Sequence, residues 1–185
     1  ATVNCDNLSI DNLGGTIKCG QVITKVKSQK SDRNTLLQAS KIIVEKYTKK
    51  LSHSQKKITL GISFYSNKMD PRNIQKIGII LKNNLRKSGV SLRLIPNKTA
   101  ALSTATSHNN KLGRSEAKIE IIIAKNAYGD LIIAESRGAQ NINSYTQRDR
   151  GRPKRDAFVG MLPPKLAQIM INLSGVKPDD YLWDP

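Results

Sequence analysis

At 185 residues, with 38% hydrophobic residues arranged in periodic runs, the chain can bury the core of one ordinary domain or two small ones. Thirty-one Lys and Arg against 14 Asp and Glu leave a formal charge of +17, which favours a polyanionic partner over a purely structural basic surface that must absorb its own repulsion. No apolar run approaches the roughly 20 residues of a membrane-spanning helix, and Cys5 and Cys19 are too few for a four-thiolate zinc site. The expectation is therefore a cytoplasmic protein with no membrane segment, no metal and two reduced thiols, a Cys5–Cys19 bridge being the alternative.

Taken in chain order, "GGTIKCGQVITKV" (14–26) follows a Gly-Gly turn with β-branched residues and predicts a strand. "NTLLQASKIIVEKYTKKL" repeats Leu36, Ile43, Tyr47 and Leu51 at helical spacing, with Leu37 and Val44 beside them and Asn34 as the expected N-cap. "KITLGISFY" alternates Ile58, Leu60, Ile62 and Phe64 against Thr59, Gly61, Ser63 and Tyr65, which is a strand at period two. In "DPRNIQKIGIILKNNLRKSG", Asp70 caps, Pro71 occupies the first helical position and Gly89 closes. Ile74, Ile77, Leu81 and Leu85 form its inner stripe. Its charges, Arg72, Lys76, Lys82, Arg86 and Lys87, are all positive, whereas a helix stabilised for its own sake would mix signs. "VSLRLI" (90–95) predicts a strand, and "AKIEIIIAK" and "LIIAES" two more around the turn "NAYGD". Between "VSLRLI" and "AKIEIIIAK", residues 97–116 are polar, small and basic, either a loop or a short helix. The order predicts a mixed α/β (α+β) fold with helices packed on a sheet.

From Arg137 to Asp156 six basic residues (Arg137, Arg148, Arg150, Arg152, Lys154, Arg155) face two acids, Asp149 and Asp156, a local +4. Gly138, Gly151 and Pro153 predict an irregular tract. Its arginines suit bidentate phosphate binding, with Tyr145 for stacking; the bland alternative is a linker stiffened by arginine–aspartate pairs. "LPPKLAQIMINL" predicts a helix whose face is Leu162, Leu166, Ile169, Met170 and Leu173.

Catalytic patterns are thin. His53 and His108 stand alone, "SHNNK" places Ser and His as mere neighbours, and "GGTIKCGQ" lacks the Lys-Ser/Thr ending of a phosphate loop. No enzyme chemistry is legible in these residues.

"RDRGRPKRDAFVGMLPPKLAQIMINLSG" followed by "YLWDP" closely resembles the linker and first helix of the S-adenosylmethionine-dependent methyltransferases that modify the exocyclic amine of guanosine at tRNA position 10. The resemblance implies a remnant of a ferredoxin-like domain at 1–33, with "LGGTIKCGQVI" its closing strand. It further implies an RNA-binding THUMP domain at 34–136, a basic linker at 137–161, and the start of a Rossmann methyltransferase domain at 162–185. In that family Asp-Pro opens the cofactor loop, which places Asp184 and Pro185 at its beginning. The glycine-rich loop and the Asn/Asp-Pro-Pro-Tyr loop of that family are missing. The expectation is that this chain holds no cofactor and transfers no methyl group, while the full-length parent uses S-adenosylmethionine, with a small activating protein as a further partner. An apolar helix face at 163–173 would then be exposed unless it folds back or pairs.

For tRNA, the family's loop maps onto Asn109, Asn110 and Lys111. Charge adds Lys82, Arg86 and Lys87 on the second helix, Arg114, Arg137, and the tract Arg148, Arg150, Arg152, Lys154 and Arg155, with Tyr145 and Tyr65 as the stacking rings. Recognition of backbone and shape is expected, and neutralising about five phosphates gives a log–log salt slope of roughly −3 to −5. The competing readings are another tRNA-modifying enzyme, such as one for thiolation or deamination, the DNA-binding part of a DNA methylase, and a structural basic domain.

Overall fold

Residues 9–65, 69–152, 160–177, 179–181 and 183 are described by the computed structural model. They form a mixed α/β protein with a five-stranded mixed sheet and five α-helices among the described residues.

The first compact unit spans residues 19–139. Its sheet contains β1 (Lys18–Val26), β2 (Ile58–Tyr65), β3 (Leu92–Leu94), β4 (Lys118–Lys125) and β5 (Leu131–Ala139), in the order β1-β5-β4-β2-β3. β2 runs parallel to both β3 and β4, while β4 and β5 pair antiparallel across the 126–130 turn. The strand expected to begin at Gly14 begins at Lys18, and it is hydrogen-bonded to β5 as one edge of this sheet.

Helix α1 (Asp32–Leu51) is capped by Ser31, whose Oγ accepts the Asn34 N–H; Asn34 is inside the first turn and is not the cap. Thr35, Ala39, Ile43, Tyr47 and Leu51 are its buried residues, and Leu37, expected near the stripe, is 52% exposed. Helix α2 (Pro71–Lys87) matches its expected form closely. Asp70 accepts the Arg72 N–H, and Ile74, Ile77, Leu81 and Leu85 are buried. Gly78 lies mid-helix at a propensity cost of about 1 kcal/mol relative to Ala. A Cβ there would stand 2.5 Å from Leu94 Cδ1, so the glycine lets α2 sit directly on β3. The inner stripes of α1 and α2 pack against Ile58, Leu60, Ile62, Phe64, Ile119, Ile121 and Ile123 in one core; each Leu or Ile fully buried there contributes roughly 1.5–3 kcal/mol.

The opposite face of β2 is covered by the segment after β3. Leu102 and Leu112 close over Gly61, and with Ile95 they make a second, smaller core. This segment contains a short helix, α3 (Thr104–Asn109), capped by Ser103. Both faces of β2 are thus buried, which is why its polar-parity residue Ser63 has no exposure.

The second unit draws on residues 1–18 and 140–185. Among its described residues are a 3-10 turn (Ile10–Asn12), α4 (Ile142–Arg150) and α5 (Pro164–Ser174). The tract expected to be irregular is therefore helical over 142–150, with Gly151 at its C-cap instead of within it. Gln140 Nε2 donates to the carbonyls of Leu13 and Gly14 at 2.8 and 3.1 Å. Asn172 ties α5 to the same segment, accepting the Gly14 N–H and donating to the Asn12 carbonyl. The expected apolar face of α5 is only partly used: Ile169 lies against Gly15, while Leu166, Met170 and Leu173 are 44%, 55% and 82% exposed. Tyr181 and Trp183 belong to no strand.

Candidate nucleic-acid interface

From residue 71 to residue 115 the chain carries nine Lys and Arg and no Asp or Glu. The fold gathers part of this surplus at the β3 edge. Lys57, Lys82, Arg86 and Arg93, with residues 89–92, line an open groove of about 520 Å³. Two features build it. The α2 stripe at Leu81 and Leu85 is buried, which turns Lys82 and Arg86 outward. The parallel pairing of Ile58 with Leu92 and Thr59 with Arg93 brings the start of β2, which Lys57 precedes, alongside β3 and its exposed Arg93. Gly89, at φ +76, turns the chain from α2 into β3, and the Val90 N–H closes the helix onto the Leu85 carbonyl at 3.0 Å. This is the negative end of the α2 dipole, so attraction for an anion comes from the side-chain cations and not from the helix. Lys87 is exposed in the last turn of α2 but does not line the groove. Lys57 and Arg93 join the site without any local sequence pattern that singles them out.

The polar loop delivers a second group. Asn109 and Lys111 are exposed, whereas Asn110 is the C-cap of α3 and its Nδ2 donates to the Thr106 carbonyl at 2.9 Å. Lys111 at φ 54 and Gly113 at φ 77 bend the chain so that Gly113 lies against Ser136 and Gly138 of β5. Arg114 consequently lies over Gly138, immediately after Arg137, and two arginines 23 positions apart in sequence flank one backbone position. Arg137 is exposed and its guanidinium donates to Gln21 Oε1.

Arg148 and Arg152 of the basic tract, in the second unit, are engaged within that unit. The Arg148 guanidinium lies 4.4 Å from the centroid of the Tyr145 ring and reaches Gln168 Oε1 and Ser144 Oγ. Lys165 Nζ is 6.0 Å from the same ring. Tyr145, a stacking candidate on the sequence, is half-buried with Arg148 over its ring. Arg152 donates to the Leu162 carbonyl at 2.6 Å and stands 3.9 Å from Asp149, tying the end of α4 to the approach to α5. Arg150 is exposed. Lys154 and Arg155 lie outside the described residues, as do Asp184 and Pro185. Tyr65 is half-buried in β2, its phenol pushed up to about 12 by burial and then by the Glu120 carboxylate.

Among the described residues no group of three or more His, Cys, Asp and Glu side chains is placed to hold a metal ion. His53 follows the end of α1 and His108 lies in the last turn of α3. Cys19 has intermediate exposure in β1, and Cys5 lies outside the described residues. No described helix is long and apolar enough to cross a membrane. A comparison of the chain with protein-family models and with curated proteins gives no match.

Proposed function

We propose that this chain is the tRNA-binding part of an S-adenosylmethionine-dependent tRNA guanosine methyltransferase, a cytoplasmic THUMP-type module that grips the sugar–phosphate backbone and positions the RNA for catalysis elsewhere in the protein. The observation that carries the RNA-binding half is the groove at the β3 edge: four cations line it, three of them from a stretch of 45 residues that has no carboxylate. Its breadth and lack of aromatic lining suit phosphates more than base edges. The methyltransferase half rests on the likeness of residues 148–175 and "YLWDP" to that family, in which the methyl donor is bound by residues after the Asp-Pro pair.

The test is competition for the purified chain between tRNA and duplex DNA of equal charge, followed by a salt titration. The expected result is preferential tRNA binding with a log–log slope of roughly −3 to −5, for about five phosphates neutralised. Failure to bind tRNA in dilute salt, or preference for DNA, overturns the reading.

A further inference from the structure

The 126–130 turn between β4 and β5 presents Tyr128 to solvent at 85% exposure on a closely tied backbone. Asn126 N–H donates to the Asp130 carbonyl at 2.9 Å, and Gly129 N–H to the Asn126 carbonyl at 3.1 Å. Asn126 Oδ1 accepts the N–H groups of Tyr128 and Asp130 at 3.0 and 2.9 Å, and Asn126 Nδ2 donates to Asp130 Oδ2 at 3.2 Å. The turn is tied to the end of β1 and the segment after it: Lys25 of β1 pairs with Asp130 at 3.0 Å, and the Ser28 N–H donates to Asp130 Oδ1 at 2.9 Å. Those partners, the Ser28 N–H first, hold the Asp130 carboxyl down at about 2, so the ties persist across neutral and mildly acid pH.

None of these bonds uses the Tyr128 side chain. Asn126, Gly129 and Asp130 suffice for the turn, and a large ring left in water gains no burial. The surroundings are cationic. Lys25, Lys27, Lys30, Arg33 and Lys125 stand against Asp32 and Asp130, five minus two, a local +3. The Ser28–Asp130 and Lys125–Asp32 interactions hold the two segments together, and Lys27 and Lys30 are exposed. A ring with only two χ angles, fixed on a tied turn, loses little entropy on binding, and cations around it favour a polyanion over an apolar protein surface.

We infer that Tyr128 is a stacking contact for a base of single-stranded RNA, with Lys27 and Lys30, exposed on the segment that Ser28 ties to the same turn, for the flanking phosphates; this rests on the RNA-binding reading above. Any base offers a face to such a ring, so the contact is tolerant of sequence.

The experiment compares the wild-type chain, Tyr128→Ala and Tyr128→Phe for binding to a labelled single-stranded RNA of about 12 nucleotides and to an abasic oligomer of the same length. The expected result is a loss of roughly 5- to 100-fold for Tyr128→Ala on the RNA, near-wild-type binding for Tyr128→Phe, and no change for either variant on the abasic oligomer. Wild-type affinity of Tyr128→Ala for the RNA overturns the stacking contact and leaves the RNA-binding reading standing. An equal loss on the abasic oligomer assigns Tyr128 to turn geometry and also overturns the stacking contact. A wild-type chain that binds no RNA removes both.

Discussion

Ser63 of β2 and Glu120 of β4 meet inside the protein: the Ser63 hydroxyl donates to Glu120 Oε1 at 2.6 Å, and the same Ser63 oxygen accepts the Leu102 N–H at 3.0 Å. Both side chains have zero exposure. A buried carboxylate is expensive without hydrogen-bond donors, so this pair couples the satisfaction of Glu120 to the seating of the segment that carries Leu102, α3 and Arg114. Ser63→Ala takes one partner from each of Glu120 and Leu102 and is expected to cost about 1–3 kcal/mol. A denaturant midpoint lowered at unchanged m-value, with faster amide exchange across 102–113, is the expected reading. An unchanged midpoint would remove Ser63 as the tie.

The groove cations and the tract arginines should separate by assay. Lys82→Glu combined with Arg93→Glu leaves the buried stripe of α2 intact, so thermal stability should change little while RNA affinity falls. The salt slope should become shallower by about 0.7–0.9 for each phosphate that is no longer neutralised. Arg152→Ala should do the reverse, lowering stability by removing the hydrogen bond to the Leu162 carbonyl, with a smaller change in slope. Salt titrations and melting curves on the wild type and these two variants decide it; equal slopes for all three would count against the groove.

The alkaline limb of stability should be set by two tyrosines. Burial, the hydrogen bond that Tyr47 donates to Glu135, and the charge of that carboxylate raise the Tyr47 phenol above its usual range. Burial and then Glu120 raise Tyr65 to about 12. An unfolded phenol ionises near 10, so between these values the folded state holds more protons than the unfolded one. The contribution is whole below about pH 10 and is lost as pH rises through 12 for Tyr65, and later for Tyr47. Tyrosinate absorbance followed alongside circular dichroism should show late phenol ionisation coinciding with unfolding. Tyr47→Phe should flatten the alkaline fall while costing about 1 kcal/mol at neutral pH.

What the sequence discloses tracks how local each signal is. β2 and α2 are legible because strict alternation, an Asp-Pro start and a closing glycine are all contained within the segment. The α1 cap is ambiguous in sequence because Ser31 and Asn34 are both capping residues, and only the fold shows that Asn34 supplies the N–H that Ser31 receives. Helix α4 is hidden because Gly138 and Gly151 look like breakers of one tract, whereas Gly138 lies in β5 beneath Arg114 and Gly151 ends the helix. The groove is half legible: Lys82 and Arg86 share a helix face, but Lys57 and Arg93 come to the same groove only through the pairing of β2 with β3. Tyr128 reads as an ordinary turn residue, since exposure is a property of the folded chain.

Two adjacent glycines offer a sharp test of how α5 is seated. A Cβ on Gly14 would stand 2.7 Å from the Ile169 N, 2.8 Å from the Lys165 carbonyl oxygen and 2.9 Å from Gln168 Cβ. Two of those three neighbours are helix backbone, which cannot step aside as a flexible side chain can, so Gly14→Ala must move either α5 or the segment Gln140 and Asn172 hold. A Cβ on Gly15 would meet Ile169 Cγ1 at 3.7 Å, an ordinary contact. Overpacking of the first kind costs typically about 1–3 kcal/mol, and here it should appear locally, as faster amide exchange along α5 and easier proteolysis after Lys165. Gly15→Ala should leave both unchanged, or slow them slightly through the entropy it removes from the unfolded chain. If both variants behaved alike, α5 would not be held by close approach to Gly14, and its attachment would rest on contacts such as the Asn172 hydrogen bonds.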